Sequence, residues 1–246
     1  MKIRIKFKKT GVMRFIGHLD IMRYFQKAIR RSGIDIAYSA GFSPHQIMSF
    51  AAPLGVGLLS DGEYMDVEVN STFSSKEAVR RLNETMADGM EVVSYRVLSE
   101  ESKNAMSIVA AADYSIAPKQ GQAFPFTYNE FQEMKKRFFV DRNKIMLTKQ
   151  TKKNVIEMDV KPFIYAFSAN ENEKTGQADS IFTKLATGSA NNLKPEFILE
   201  AFYQFSGMDF KPLQLQVIRK EVYTDLGTEK KHKFVSLEEL GEEIAG

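Results

Sequence analysis

The hydrophobic period of the sequence changes repeatedly between two residues and about 3.6 residues, and this alternation restricts the possible folds more than any other feature. KIRIKFK at 2–8 alternates strictly, with apolar side chains on one face and basic side chains on the other, which is typical of a strand. LDIMRYFQKAIRRSG at 19–33 then shows helical spacing, with Gly33 as the predicted helix stop. The predicted apolar stripe of this helix consists of Leu19, Met22, Phe25 and Ile29.

The remainder of the first hundred residues continues the alternation. Further strands are predicted at 35–39, 46–51, 63–69 and 91–98, a helix at 74–86 and a turn at 60–63. Counting the main segments gives the order β-α-β-β-α-β, which is the ferredoxin-like pattern of two helices on one face of a four-stranded sheet.

The second half shows a similar order of elements. Strands are predicted at 105–118, 162–171, 178–188 and 213–224, helices at 127–140 and 193–207, and either a strand or a hairpin at 144–160. The predicted fold class is therefore α+β, with two ferredoxin-like units in tandem. The predicted domains are 1–100, 104–225 and a charged C-terminal tail at 226–246, which either frays or forms a short helix capped by Ser236.

Composition places the chain among ordinary globular proteins and excludes several kinds of site. Its 246 residues are 43% hydrophobic and 26% charged. No stretch approaches the roughly 20 apolar residues of a membrane-spanning helix, and MKIRIKFKK lacks the apolar core of a signal peptide. The absence of cysteine excludes disulfides, a thiol nucleophile and cysteine-ligated clusters. We therefore expect a cytoplasmic protein without membrane contact.

Basic residues are concentrated near the N-terminus. Residues 1–31 contain ten Lys and Arg residues against one acid, Asp20, although the net charge of the chain is only +3. This distribution predicts a surface on the first strand and helix that contacts nucleic-acid phosphates. The alternative is a solubilising surface whose acidic partners lie elsewhere in the fold. The predicted surface comprises Arg4, Lys6, Lys9, Arg14, His18, Arg23, Lys27, Arg30, Arg31 and His45.

His18 and Asp20 lie at the predicted start of the first helix. Asp20 is expected to cap the helix or complement its dipole, which is a structural role. His18 then lies beside a first turn that attracts anions. His18 is also the candidate catalytic residue, as proton carrier, if the chain cleaves RNA. A packed imidazole beside a helix cap is the alternative.

Two loops are further candidates. In AYSAGFSPHQ at 37–46, Gly41 and Pro44 predict an ordered turn, and His45 offers a hydrogen-bonding group distant from His18. In LATGSANNLKPEF at 185–197, small polar residues precede a helix and predict an anion-binding loop. The candidate anion ligands of this second loop are Ser189, Asn191, Asn192 and Lys194.

No metal site is predicted, because the sequence lacks the HxH, HxxxH and EF-hand spacings of common metal ligands. One acidic cluster is interpreted as salt-bridging surface carboxylates. It consists of Asp61, Glu63, Asp66 and Glu68.

The run from 8 to 69 resembles the radical SAM-linked family of bacterial proteins. The residues that carry the resemblance are Lys9-Thr10-Gly11, Gly17-His18-Leu19-Asp20, Arg30-Arg31, Tyr38-Ser39, Gly41-Phe42-Ser43-Pro44, Pro53-Leu54, Gly57, Ser60 and Glu63-Tyr64. Gly17 stands where the family more often has Ser, and His45 where it often has Arg, which favours a cationic role for His45 over general-base catalysis.

The resemblance implies a partner. Members occur fused to, or encoded beside, radical SAM proteins and often near a ribonuclease, which suggests tRNA or rRNA as a shared substrate. Since this chain has no cysteine, the iron–sulfur cluster and S-adenosylmethionine are expected only in the partner, with no cofactor in this chain. The predicted function is an accessory RNA-binding module without DNA specificity, more consistent with a non-enzyme. The alternatives are a metal-independent endoribonuclease resembling CRISPR repeat-processing enzymes, and a protein-interaction subunit.

Overall fold

Helices and strands follow one another along residues 1–150, 155–189 and 191–246, which the computed structural model describes. The predicted mixture of helix and sheet is therefore confirmed. The chain divides into two units. Unit 1 comprises Met1–Ala112, Thr187–Ala190 and Arg219–Gly246, and unit 2 comprises Asp113–Ala186 and Asn191–Ile218. Among the described residues, no helix has the length and apolar character that crossing a membrane requires.

Five α-helices lie in the described ranges. They are α1 (His18–Ser32), α2 (Ser75–Asn83), α3 (Ala105–Ile108), α4 (Tyr128–Lys135) and α5 (Pro195–Phe205). Short 3-10 turns occur at Gly11–Phe15, Lys161–Phe163, Pro212–Gln214 and Leu237–Leu240, and α4 continues into a π-helical turn at Lys136–Val140.

Thirteen strands are described, and most of them match predicted segments. They are β1 (Lys2–Lys9), β2 (Asp35–Ile36), β3 (Met48–Phe50), β4 (Leu59–Ser71), β5 (Met90–Leu98), β6 (Ala111–Pro118), β7 (Met146–Gln150), β8 (Val155–Asp159), β9 (Ile164–Glu171), β10 (Ala178–Ala186), β11 (Leu215–Asp225), β12 (Phe234–Ser236) and β13 (Glu242–Glu243). The segment at 144–160, predicted as a strand or a hairpin, contains the antiparallel pair β7 and β8, and residues 151–154 lie outside the described residues.

In unit 1, β1 is the central strand. It pairs antiparallel with β4 on one side and with β5 on the other, with Arg4 opposite both Asp66 and Arg96. The short strands β2 and β3 also pair with β4, and β13 pairs with the free edge of β5. Residues of β11 that belong to unit 1 lie next to β4.

One face of β1 forms the core of unit 1, as the alternating pattern predicts. Ile3, Ile5 and Phe7 are at most 1% exposed, and they pack with Phe25 of α1 and Leu82 of α2. Burying each of these large apolar side chains contributes about 1.5–3 kcal/mol to folding. The core therefore fixes α1 and α2 on a single face of the sheet.

The start of α1 differs from the prediction. The helix buries Ile21, Phe25 and Ile29, whereas Leu19 is 62% exposed, because Leu19 lies in the first turn, off this buried stripe. The predicted stop is confirmed, since Gly33 ends α1 with a φ of 76°, in the left-handed region that glycine adopts without steric cost.

Two other segments are more ordered than expected. The predicted turn at 60–63 is wrong, because β4 already begins at Leu59 and these residues lie between β1 and β11. In the C-terminal segment, the Ser236 capping box is confirmed and starts a 3-10 turn between β12 and β13. Leu237 in that turn is fully buried, so this part of the segment does not fray.

Unit 2 contains a sheet in the order β6-β10-β9, with residues of β11 beside β6. Its core is built mainly from phenylalanine. Phe131 of α4 and Phe202 of α5 are fully buried with ring centroids 5.5 Å apart, and Phe167 of β9 lies 5.2 Å from Phe202. Aromatic pairs at such distances contribute beyond the area that they bury.

Candidate functional site

The polar face of β1, predicted to contact phosphates, is covered within unit 1. Arg4 is 2% exposed, and its guanidinium donates to both carboxylate oxygens of Asp66, at 2.8 and 2.9 Å. It also donates to the carbonyl of Leu237 at 3.2 Å. Because every one of these contacts is internal, Arg4 does not belong to a nucleic-acid surface, and the prediction for this residue is wrong.

Lys6 is similarly engaged. Its ammonium donates to Glu221 at 2.7 Å and to Glu238 at 2.9 Å, and the side chain is 14% exposed. Burial opposes the charge, but the hydrogen bonds that the ammonium donates to the two carboxylates, together with their negative charges, outweigh it and raise the pKa of Lys6 above its usual range. Lys6 is therefore a structural cation, and its predicted role in phosphate binding is also corrected.

Lys9 is 3% exposed and lines a small concavity in unit 1, which we call the Lys9 pocket. The pocket has a volume of about 10 Å³, which is room for about one water molecule. Its lining residues are Phe7, Lys9, Ile16, His18, Ile21, Phe50, Pro53, Leu54 and Glu63. Lys9 was predicted to contact nucleic acid, but its burial prevents it from reaching an extended phosphate backbone.

Segments distant in sequence meet at the Lys9 pocket. Four of the stretches that carried the family resemblance contribute to it, those containing Lys9, His18, Pro53-Leu54 and Glu63. Glu63 was interpreted as a surface carboxylate, yet it is 5% exposed and forms an ion pair with Arg219. Glu63 and Arg219 were therefore missed by the sequence analysis, because the residue that pairs with Glu63 is supplied from 156 positions away.

His18 lies at the mouth of this pocket. It is exposed, and its ring packs edge-on against Phe50 with centroids 5.1 Å apart. The residue that caps α1 is Gly17, which provides no side-chain bond. Asp20 occupies the first turn and pairs with Arg23 at 3.3 Å, so its charge complements the helix dipole but it is not the cap.

The basic residues of α1 remain exposed, unlike those of β1. We call the exposed side chains of Arg23, Lys27, Arg30 and Arg31 the basic helix face. Arg30 and Arg31 each donate to one backbone carbonyl, of Gln26 and Thr85, at 3.2 and 3.1 Å, which leaves other N–H donors of both guanidiniums facing outward. Arg14 is half-buried, and its guanidinium lies 4.8 Å from the centre of the Phe15 ring.

The loop predicted at 37–46 is ordered and lies beside this face. Gly41 has a φ of 108°, which permits the turn, and an isolated bridge joins Tyr38 to Gln46. Ser39 Oγ and His45 Nδ1 are 2.9 Å apart, and the backbone N–H of His45 donates to the same Oγ at 3.1 Å. These bonds hold the His45 ring on a defined side of the loop.

The loop and α1 together form a second concavity, of about 200 Å³, which we call the Arg30 groove. It is lined by Gln26, Arg30, Tyr38, Pro44, His45 and Gln46. Tyr38 is 50% exposed, and Phe42 at the loop tip is fully exposed. His18 lines the Lys9 pocket and His45 lines the Arg30 groove, so the two histidines do not line the same concavity.

The second predicted anion loop is divided between the units. Ser189 belongs to unit 1, whereas Asn191, Asn192 and Lys194 belong to unit 2, and Ala190 lies outside the described residues. Pro195 opens α5 as predicted, after Lys194, which forms no side-chain capping bond. An anion site in this loop therefore stays a prediction.

Two further members of the acidic cluster at 61–68 form ion pairs. Asp66 binds Arg4, and Asp61 pairs with Lys220. Within the described ranges, no group of three or more His, Asp or Glu side chains is arranged to hold a metal ion.

Comparison with known proteins gives a family. A family model described as "Uncharacterized protein conserved in bacteria (DUF2344)" matches residues 2–195, which include all of the segments that form the Lys9 pocket and the Arg30 groove. None of the curated proteins matches the chain.

Proposed function

The chain belongs to the DUF2344 family, and we propose that it is an RNA-binding module that contacts single-stranded RNA through the basic helix face and the Arg30 groove. The observation that carries the proposal is the combination of Arg30, His45 and Tyr38 in one exposed concavity, with Phe42 exposed in the same loop. Cationic donors beside exposed aromatic rings are the combination that proteins use for single strands.

The two kinds of side chain have different roles in this proposal. Arg23, Lys27 and Arg30 contact phosphates, which contributes affinity without sequence information. Tyr38 and Phe42 stack on unpaired bases, which a duplex does not offer. The proposed surface therefore retains α1 and the loop from the original prediction, and it omits Arg4, Lys6 and Lys9.

The remaining parts of the proposal are the fold type and the partner. The strand orders β5-β1-β4 with β2 and β3 on β4, and β11-β6-β10-β9, support two ferredoxin-like units in tandem. A radical SAM protein as partner, with tRNA or rRNA as the shared substrate, rests on the sequence resemblance. Since the chain has no cysteine, a cysteine-ligated cluster belongs to that partner.

The test is fluorescence anisotropy with a labelled single-stranded oligoribonucleotide of mixed sequence, with a duplex of the same length in parallel. The Lys27→Gln/Arg30→Gln variant is expected to weaken binding and to reduce the slope of log affinity against log salt by about one per lost phosphate contact. The matched control is Lys76→Gln, an exposed lysine on α2 that should leave both quantities unchanged.

A second variant separates stacking from charge. Phe42→Ala should cost about 1–3 kcal/mol of binding free energy with the salt slope unchanged. Equal binding of the single strand and the duplex would contradict the role of the aromatic residues. Absence of RNA binding by the wild-type chain at low salt would reject the proposed function.

A further inference from the structure

A concavity in unit 2 shares no lining residue with the Lys9 pocket or the Arg30 groove. Two loops form it, one between β6 and α4 at 119–127 and one between α5 and β11 at 206–214. The loops are tied together, because the backbone N–H of Lys119 donates to the carbonyl of Gln214 at 2.9 Å and its ammonium to that of Leu213 at 2.8 Å. We call this concavity the Tyr203 pocket. Its volume of about 300 Å³ lies at the lower end of ordinary ligand pockets and is sufficient for a small molecule.

Tyr203 brings an almost fully buried hydroxyl group to this pocket. The residue is 3% exposed, and its ring packs against Phe126 and Phe210 with centroids 5.7 and 5.4 Å apart. Within the described ranges the hydroxyl has no hydrogen-bond partner, although protein atoms do not enclose it on every side. A buried tyrosine hydroxyl normally has a partner, because burial without one costs free energy of desolvation. Burial raises the pKa of Tyr203, so the hydroxyl keeps its proton at neutral pH, and it points to an acceptor that enters the pocket.

The Tyr203 pocket also carries one charge of each sign. Asp209 and Lys211 lie two residues apart in the loop that follows α5, and no ion pair engages either side chain within the described part of the chain. Gln214 adds an amide, which has both donors and an acceptor. A ligand with a single charge would be attracted by one of the two ionic side chains and repelled by the other. The pocket therefore favours a zwitterion, which satisfies both.

The rest of the lining is apolar and restricts the kind of zwitterion. It suits a hydrocarbon side chain, and Met208 adapts to side chains of different shape because it is unbranched and flexible. A cavity of about 150 Å³ holds benzene, so the volume of the Tyr203 pocket has room for roughly twelve non-hydrogen atoms. This is the size of one apolar amino acid and not of an apolar dipeptide. The apolar lining residues are Ala123, Pro125, Met208 and Leu215.

We propose that the Tyr203 pocket binds one free α-amino acid with an apolar side chain, such as leucine or methionine. The ligand carboxylate accepts hydrogen bonds from the Tyr203 hydroxyl and the Lys211 ammonium, and the ligand ammonium donates to Asp209. The ligand side chain packs against Met208 and Leu215. The pocket belongs to unit 2, whereas the proposed RNA surface belongs to unit 1, so this inference does not depend on RNA binding.

The experiment titrates the full-length chain, without RNA, with leucine and methionine by calorimetry. Leucinamide, which lacks the carboxylate, and N-acetylleucine, which lacks the ammonium, are the matched ligands. Each is expected to bind about tenfold more weakly than leucine, because a charge-assisted hydrogen bond is lost. Lys211→Gln should reduce the difference between leucine and leucinamide, and Asp209→Asn should reduce the difference between leucine and N-acetylleucine.

A further variant tests the buried hydroxyl alone. Tyr203→Phe should weaken leucine binding by about tenfold and should remain as stable as the wild type in urea unfolding, because no described residue bonds to the hydroxyl. Tyr128→Phe is the matched control, since Tyr128 of α4 does not line the pocket.

Two results would overturn the proposal. One is the absence of binding by both amino acids, which would leave the Tyr203 hydroxyl to water, and the other is equal affinity of Tyr203→Phe and wild type for leucine. Equal binding of leucine, leucinamide and N-acetylleucine would overturn the assignment to a zwitterion. None of these results changes the anisotropy assay with RNA, so the two proposals fail separately.

Discussion

The basic residues of β1 and those of α1 look alike in the sequence, but they differ in solvent exposure in unit 1. Arg4, Lys6 and Lys9 are buried or nearly so, whereas Arg23 and Lys27 are exposed. Arg4 and Lys6 find their acids on other strands and in the C-terminal segment. The comparison teaches that a cluster of positive charge in a sequence can be divided between structural ion pairs and a free surface.

The basic residues of β1 and those of α1 also differ in how much their ion pairs contribute to the stability of the fold. Arg4 and Asp66 meet with two well-formed bonds in a place shielded from water, so breaking the pair leaves a carboxylate without its cation. Arg23 and Asp20 meet in solvent, where screening and side-chain entropy remove most of the gain. Four substitutions, the first two of them a matched pair, test this difference, beginning with the largest expected effect.

Arg4→Met should destabilise the protein by about 3–5 kcal/mol, because it leaves Asp66 largely buried without its cation. Arg23→Met is the matched substitution on α1 and should cost less than about 0.5 kcal/mol. Urea unfolding followed by circular dichroism measures both. Similar free energies for the two variants would contradict the division into structural and surface cations.

Lys6→Met should cost about 1–2 kcal/mol at neutral pH, because Glu221 and Glu238 lose a shared cation. The raised pKa of Lys6 means that its contribution is complete below pH 10.5 and is lost as the pH rises through the folded value. Burial opposes ionisation of Glu238, but its bonds to Lys6 and Ser94 lower its pKa, so that contribution is present above pH 4.5 and is lost on acidification.

The measurement for Lys6 is the difference in unfolding free energy between wild type and variant as a function of pH. This difference should be largest between pH 4.5 and pH 10.5, and it should decrease at more acidic and at more alkaline pH. A difference that stays constant from pH 4.5 downward would show that Glu238 is not coupled to Lys6.

Asp20→Asn should change stability by less than about 0.5 kcal/mol, because it removes one exposed ion pair in the first turn of α1. It should also strengthen RNA binding slightly at low salt, since Arg23 is released to contact phosphate. The same unfolding and anisotropy assays give both values. A loss of stability above about 1 kcal/mol would instead restore Asp20 as the helix cap.

Local pattern determined much of the secondary structure. The alternation in KIRIKFK predicts β1, and the helical spacing that ends at Gly33 predicts α1, since both depend on neighbouring residues. The ends of strands and helices were predicted less well where tertiary contacts extend an element. One example is β4, which begins at Leu59 and includes the residues of the predicted turn. Gly41 and Pro44 predicted the ordered loop that holds His45, but the concavity that this loop forms with α1 was not predicted.

The sequence by itself determined the mixed class, the apolar face of β1 and the exposed basic face of α1, because periodicity specifies which side chains share a face. Only the tertiary structure decided what covers the second face of β1. Lys6 meets Glu221 across 215 positions, and Glu63 meets Arg219 across 156. Such contacts depend on which distant segments pack beside β1 and β4, and the local sequence pattern does not specify this. For this reason the Lys9 pocket could be recognised only in the folded protein.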